Sequence, residues 1–143
     1  MSSRKKILVL DSDSELLIAL EQVLEEEGFN TTTTWDAREA VALLASARFD
    51  ALLVGEHPPE VKSAELLKRL QAQRSGIPCI VMQSAALHPF EAQYLCALGA
   101  YAVVPKWKHK AIVEQIRQML RRWHGAASDV MADGTLPAAA GQK

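Results

Sequence analysis

Four residues decide what chemistry this chain could perform, and each stands at the end of a short apolar run: Asp11, Gly55, Gln83 and Lys106. Runs of this length and composition are typical of buried parallel strands. The carboxyl ends of such strands meet at one edge of a sheet, which is where doubly wound folds place their functional residues. One of the four residues is an acid and one is a cation, whereas glycine offers no reactive side chain.

The segment Asp11-Ser12-Asp13-Ser14 argues against a nucleotide- or flavin-binding protein. Such proteins place a Gly-rich loop after the first strand, because backbone N–H groups there must approach a phosphate. Carboxylates in the same place would repel it. We expect Asp11 to cap the turn into the first helix, and Asp13 or Ser14 to be the N-cap of that helix.

Short apolar strands alternate with amphipathic helices five times along the chain. The predicted strands span residues 7–10, 30–35, 51–54, 79–82 and 101–104. The second of them is rich in threonine and is expected near a sheet edge. Of the five predicted helices, the first ends before Gly28 and the second begins at Asp36. The third spans about 63–73 and the fourth runs from Pro89 to Gly99. The fifth carries its apolar positions from Ile112 to Trp123. Alternation with short connections predicts an α/β fold: a doubly wound, five-stranded parallel sheet of order 2-1-3-4-5 with five helices.

Length and composition fit one small domain. The 143 residues are 49% hydrophobic and carry a net charge of −1, which allows one core and gives no overall attraction to nucleic acid. We expect a domain over residues 1–124 and a disordered Ala- and Gly-rich tail over 125–143. The chain shows neither a signal peptide nor a run of about 20 apolar residues, so a cytoplasmic location is expected. Cys79 and Cys96 are interpreted as reduced thiols in the core.

The order of the motifs resembles the receiver domain of bacterial response regulators over roughly residues 5–123. The resemblance rests on three segments of this sequence: 7–13 (ILVLDSD), 77–84 (IPCIVMQS) and 98–106 (LGAYAVVPK). A further segment, 49–59, resembles the family's third strand and the loop after it. The resemblance implies the flavodoxin-like receiver fold. It also implies a pocket in which an aspartate accepts a phosphoryl group, paired acids hold magnesium, and a hydroxyl and an invariant lysine bind the phosphoryl oxygens.

This chain departs from that pocket at several positions. Gly55 stands in the place of the acceptor aspartate, Ser12 in that of the second metal-binding acid, and Gln83 in that of the hydroxyl residue. Val103 replaces the family's aromatic switch residue, and Trp107 replaces the proline that follows the lysine. Aspartyl phosphorylation needs a carboxylate nucleophile, a carboxylate-bound metal ion and donors for the phosphoryl group. The resemblance and these departures together imply a pseudo-receiver with no enzyme activity, cofactor or metal, which acts as a phosphorylation-independent protein-interaction module.

Two further expectations concern the degenerate pocket, which comprises Asp11, Ser12, Asp13, Gly55, Glu56, Gln83 and Lys106. With glycine in the acceptor position, Lys106 should pair with the nearest remaining anion, Asp11, within about 6 Å. The alternative function is a phosphorylatable receiver that uses an unconventional acid, either Asp13 or Glu56. A shift of one residue, however, does not place an oxygen with the tolerance that phosphoryl transfer requires.

A partner surface is expected on the fourth helix, fifth strand and fifth helix, a face through which receivers commonly dimerise or bind signalling proteins. Its predicted members are Tyr94, Tyr101, Lys108, Lys110, Arg117 and Arg121. Basic residues dominate from 105 to 124, which favours an acidic protein surface, such as the Glu25 to Glu27 end of another copy. The alternative is a solvated basic helix face. No membrane partner is expected, and nucleic acid is disfavoured because the basic segment is short.

Overall fold

The strands form because their side chains alternate between two separate apolar clusters. In the computed structural model, which describes residues 4–55, 65, 67–69, 72, 77–83 and 89–133, strand β1 spans Lys6–Leu10. Its residues Ile7 and Val9 pack into one cluster, while Leu8 and Leu10 pack into the other. This alternation is the two-residue period of a strand that is buried on both faces.

The sheet has five strands in the order β2-β1-β3-β4-β5, as the sequence predicts. The other strands are β2 (Asn30–Thr34), β3 (Ala51–Val54), β4 (Cys79–Gln83) and β5 (Ala100–Pro105). All neighbours are parallel, and Leu8 pairs with Thr32 on one side and with Leu52 on the other. The polar strand β2 lies at an edge, where the carboxylate of Glu25 accepts a hydrogen bond from the N–H of Thr31 at 2.9 Å. That carboxylate covers part of an edge that could otherwise pair with another chain.

Helices cover both faces of the sheet. They are α1 (Ser14–Glu26), α2 (Ala37–Ser46), α3 (helical at 65, 67–69 and 72), α4 (Pro89–Ala97) and α5 (His109–Asp133). Helices α1 and α5 bury apolar residues in the cluster with Ile7, and α2, α3 and α4 contribute to the cluster with Leu8. Much of the predicted third helix, about 63–73, lies outside the described residues. None of the helices in the described segments has the length and apolarity to cross a bilayer.

The structure differs from expectation in the exposure of one cysteine and in the length of the last helix. Cys79 is buried, but Cys96 is exposed, so its interpretation as a core thiol is wrong: on α4 the position faces away from the sheet, with buried Leu95 on the other side. Helix α5 continues past the expected boundary at 124 to Asp133, because the segment 126–131 contains alanine and methionine, which are strong helix formers. Residues 134–143 lie outside the described residues, so disorder of the tail stays a prediction there.

Candidate functional site

The Asp11 carboxylate is buried at the carboxyl end of the sheet. Asp11 follows β1 directly, its backbone N–H donates to the carbonyl oxygen of Thr34 at 3.2 Å, and its side chain is fully shielded from solvent. Its Oδ1 accepts a hydrogen bond from the N–H of Asp13 at 2.8 Å. Asp11 therefore caps the turn into α1 as expected, and its carboxylate is held on the chain's own backbone.

Lys106 supplies the opposite charge. Its Nζ lies 3.0 Å from Oδ1 and 2.9 Å from Oδ2 of Asp11, and its side chain is only 3% exposed. The predicted ion pair is confirmed. Its backbone N–H donates to the carbonyl oxygen of Gln83 at 2.8 Å, so Lys106 links the carboxyl ends of β1, β4 and β5. A buried charge needs such a partner, because removing an ion from water costs several kcal/mol.

The absence of a side chain at Gly55 is what makes room for this pair. Gly55 follows β3, and its N–H donates to the carbonyl oxygen of Leu10 at 2.7 Å. A Cβ atom built on Gly55 would lie 1.8 Å from Oδ2 and 2.9 Å from Cγ of Asp11, and 3.2 Å from Cε of Met82. The carboxylate of Asp11 thus fills the space in which any side chain at position 55 would have to begin.

The remaining pocket residues are not grouped around one ligand. Asp13 is the N-cap of α1 and accepts hydrogen bonds from the N–H groups of Glu15 and Leu16 at 3.0 and 3.3 Å. Ser12 is exposed and Gln83 is half-buried. Glu56 lies outside the described residues. Within the described segments, no three acidic, histidine or cysteine side chains come together as a metal site would require.

The expected partner surface divides into two regions. The guanidinium of Arg117 donates to the backbone oxygen of Glu27 at 3.0 Å and to its Oε1 at 2.7 Å, and it lies 5.8 Å from the ring centre of Phe29. Arg117 therefore ties α5 to the end of α1. Positions 110 and 121 are seven residues before and four residues after it, which places Lys110 and Arg121 on the same side of α5.

The aromatic part of the surface lies on the other elements. Tyr94 on α4 is half-exposed, and Phe90, one turn earlier, is 74% exposed. Tyr101 on β5 is partly buried against the core, and Lys108 is exposed. Five of the six expected residues thus form an aromatic region on α4 and β5 and a basic row that follows α5 beside α1, while Lys108 lies in the connection between β5 and α5. Phe90 was not among the predicted surface residues, because a phenylalanine at helical spacing is ordinarily a core residue.

Sequence reasoning also missed the conformation of Trp107. Its φ angle is +66°, which bulky residues rarely adopt, and its indole is 49% exposed. The ring centroid lies 5.8 Å from that of His109. Glycine usually signals such a backbone position, and no glycine stands near it in the sequence.

Burial also raises the pKa of one cysteine thiol. Desolvation raises the pKa of Cys79, which lies on β4 in the apolar cluster with Leu8, from 9.0 to about 12. The thiolate is disfavoured in an apolar environment, so Cys79 is an unreactive core residue at neutral pH.

Comparison with known proteins gives one consistent result. The family model described as the response regulator receiver domain matches residues 7–120. The transcriptional regulatory protein CpxR of Klebsiella pneumoniae is 34% identical over 120 residues, which cover 83% of this chain and 50% of that protein. CpxR of Escherichia coli K12 is 32% identical over 133 residues, which cover 92% of this chain and 56% of that protein. The chain therefore spans about half the length of the curated relatives it matches.

Solved structures agree with the sheet order. A CheY-like response regulator receiver domain from Methanospirillum hungatei has a TM-score of 0.78 and 26% identity, covering 86% of this chain and 98% of that one. The signal receiver domain of an HD domain-containing protein from Pseudomonas fluorescens has a TM-score of 0.76 and 26% identity, covering 85% and 98%. Both are similar to this chain across nearly their whole lengths.

Proposed function

We propose that this chain, which belongs to the response regulator receiver domain family, is a receiver that signals by binding proteins without accepting a phosphoryl group. Relatives of this family serve bacterial two-component signal transduction. The observation that carries the proposal is the position of Asp11, whose Oδ2 lies 1.8 Å from the place where a Cβ of residue 55 would be. The acceptor position thus lacks its carboxylate, and a neighbouring residue already occupies the space.

The groups that remain suit an ion pair better than a metal ion. Magnesium demands near-octahedral oxygen ligands and is usually held by one or two carboxylates and several waters. The Asp11 carboxylate is instead in contact with the Lys106 ammonium at 2.9 and 3.0 Å, and the adjacent position carries Ser12 in place of a second acid. Ser12 and Gly55 supply no carboxylate, and the buried carboxylate of Asp11 is bonded to Lys106, so the residues present do not fit the ion that phosphorylatable receivers use.

The alternative of an unconventional acceptor has little support. Asp13 already accepts two backbone N–H groups at the start of α1, and its use as a nucleophile would cost the helix its N-cap. Loss of an N-cap destabilises a helix by about 1 kcal/mol. Glu56, the other alternative acid, lies outside the described residues.

Partners are proposed among cytoplasmic signalling proteins or a second copy of this chain, through α4, β5 and α5. Exposed aromatic side chains on α4 and basic side chains on α5 support such a surface, since interface cores are enriched in aromatic residues and arginine. No membrane contact is proposed. The relatives matched include a DNA-binding response regulator, MtrA of Mycolicibacterium smegmatis. Because this chain spans about half of such proteins, DNA binding is not proposed for the receiver itself.

Incubation with acetyl phosphate and magnesium, followed by intact mass spectrometry, tests the proposal. We expect no mass increase for the wild-type chain under conditions that fully label a phosphorylatable receiver run in parallel. Gly55→Asp alone should also label poorly, because the new side chain meets Asp11 and the second metal-binding acid is still missing. Stoichiometric, hydroxylamine-sensitive phosphorylation of the wild-type chain would overturn the proposal.

Charge reversal tests the proposed surface separately. Arg117 is unsuitable, since it holds α5 to α1, so Arg121→Glu is the informative variant. Arg38→Glu, at an exposed position on α2, is the matched control. We expect Arg121→Glu to weaken self-association or partner capture at low salt while the control does not. Unchanged association of Arg121→Glu in sedimentation and pull-down experiments would show that α5 is not part of the partner surface.

A further inference from the structure

The connection from β5 to α5 consists of three residues, Lys106, Trp107 and Lys108, and contacts hold the first and the last of them in place. Lys106 is fixed on one side, because its N–H bonds to the carbonyl oxygen of Gln83 and its Nζ to Asp11. Lys108 is fixed on the other side, because its carbonyl oxygen accepts the first backbone bond of α5, from the N–H of Ile112 at 2.9 Å. Trp107 therefore lies between two residues whose positions are held by hydrogen bonds.

Trp107 makes that turn in the left-handed region, with φ at +66°. For an L-residue with a Cβ this conformation is unfavourable, and it persists where the surroundings fix the backbone more firmly than the residue resists. The contact of the exposed indole with the ring of His109, at 5.8 Å between centroids, does not by itself explain why the strained conformation is kept.

We propose that the buried Asp11–Lys106 ion pair is a latch that holds the β5–α5 turn in its left-handed conformation and so fixes where Trp107 is displayed. The inference rests on the proposed function in one respect: a receiver without phosphorylation has Asp11 permanently available to Lys106. The ion pair spans β1 and β5 and is shielded from solvent, so it acts as a rigid anchor one residue before the strained position. Any event that separated the two charges would release the turn.

The latch can be measured as a coupling between the ion pair and the backbone of residue 107. Trp107→Gly and Trp107→Ala both remove the indole, but only glycine adopts a positive φ without cost. We expect the glycine variant to have the higher Tm, by about 4 °C, in the otherwise native chain. The same two substitutions are then made in Asp11→Asn/Lys106→Met, which removes both charges and leaves no unpaired buried ion. In that background only the backbone bonds still hold the turn, and the difference in Tm should become smaller.

A second measurement reports on the turn directly. The chain has three tryptophans, so labelling with 5-fluorotryptophan gives three fluorine resonances, of which Trp107→Phe identifies one. We expect Asp11→Asn/Lys106→Met to shift or broaden the Trp107 resonance, and to change the other two resonances less. Lys108→Met, on the opposite side of Trp107 and exposed, is the control and should leave all three unchanged.

An equal glycine-to-alanine difference in both backgrounds, or an unaltered Trp107 resonance in the double variant, would overturn the latch. Neither readout involves a phosphodonor or a partner. Phosphate uptake by the wild-type chain would therefore refute the proposed function without touching these results, and failure of the coupling would refute the latch without restoring an acceptor.

Discussion

Substitution of Gly55 by alanine should be far more damaging than adding one methyl group suggests. The added Cβ would lie 1.8 Å from Oδ2 of Asp11, whereas real Cβ contacts essentially never fall below 3.0 Å. The carboxylate would have to retreat by about 1.2 Å. Its oxygens lie 2.9 and 3.0 Å from Nζ of Lys106, so a movement of that size is larger than the margin between these distances and the limit of a hydrogen bond.

The size of the expected loss of stability follows from the two buried charges that remain when the ion pair is broken. Breaking a buried ion pair costs about 3–5 kcal/mol, since each charge stays buried without its partner. Because the side chains around position 55 can relax in part, we expect Gly55→Ala to lower the free energy of unfolding by about 3 kcal/mol, near the lower limit of that range. That is a large fraction of the roughly 5–15 kcal/mol by which domains of this size are stable. Urea denaturation measures it as a lower midpoint at unchanged slope.

Two controls separate the steric effect from general intolerance. Gly28→Ala adds a Cβ that meets no atom within 4 Å, at a φ of +97°, so it should cost about 1 kcal/mol for the backbone alone. In Asp11→Ala/Lys106→Met, the space beside residue 55 is open, and Gly55→Ala should then cost less than about 1 kcal/mol. A loss below about 1 kcal/mol in the otherwise native chain would refute the reasoning.

Two other predictions concern a surface tie and a thiol. Arg117→Ala should lower the free energy of unfolding in chemical denaturation by about 1 kcal/mol, because its bonds to Glu27 are half-exposed and screened by solvent. Arg121→Ala is the control and should change stability by less than about 0.5 kcal/mol. Equal losses for the two variants would contradict the role of Arg117 in holding α5 to α1. A thiol reagent at mildly alkaline pH should modify Cys96 alone in the native chain and both cysteines in denaturant. Because the folded pKa of Cys79 is raised from 9.0 to about 12, its contribution to stability is complete below pH 9 and is lost as the pH rises toward 12. Rapid modification of native Cys79, or stability that does not fall over this range relative to Cys79→Ala, would contradict its burial.

Much of the fold was predictable because it depends on patterns that run over many residues. The runs 7–10, 51–54 and 79–82 are apolar at every position, which is what a strand buried on both faces requires. Their alternation with helices leaves few topologies, and the sheet order is confirmed. The pairing of Asp11 with Lys106 was also predictable, since two opposite charges at the carboxyl ends of strands in one sheet leave each other few alternatives.

Other features depend on local geometry that a single sequence does not encode. The presence of Gly55 indicated a missing acceptor, but the placement of Asp11 in the vacated space is a matter of side-chain rotamer. The side of α5 on which Arg117 lies depends on how the helix rotates against α1. At Trp107 the backbone conformation depends on how Lys106 and Lys108 are held, and no residue preference in the sequence indicates it. Each of these misses is a place where tertiary contacts outweigh local propensity.

We propose that the acceptor pocket is occupied by the chain's own ion pair and is closed to phosphoryl chemistry. Titration of the isotopically labelled chain with magnesium and then beryllofluoride, a mimic of the phosphoryl group on an aspartate, tests it most directly. We expect the amide resonances of Asp11, Gly55 and Lys106 to stay where they are throughout. Saturable shifts at these amides that require both reagents would show a working phosphoryl pocket and contradict the account.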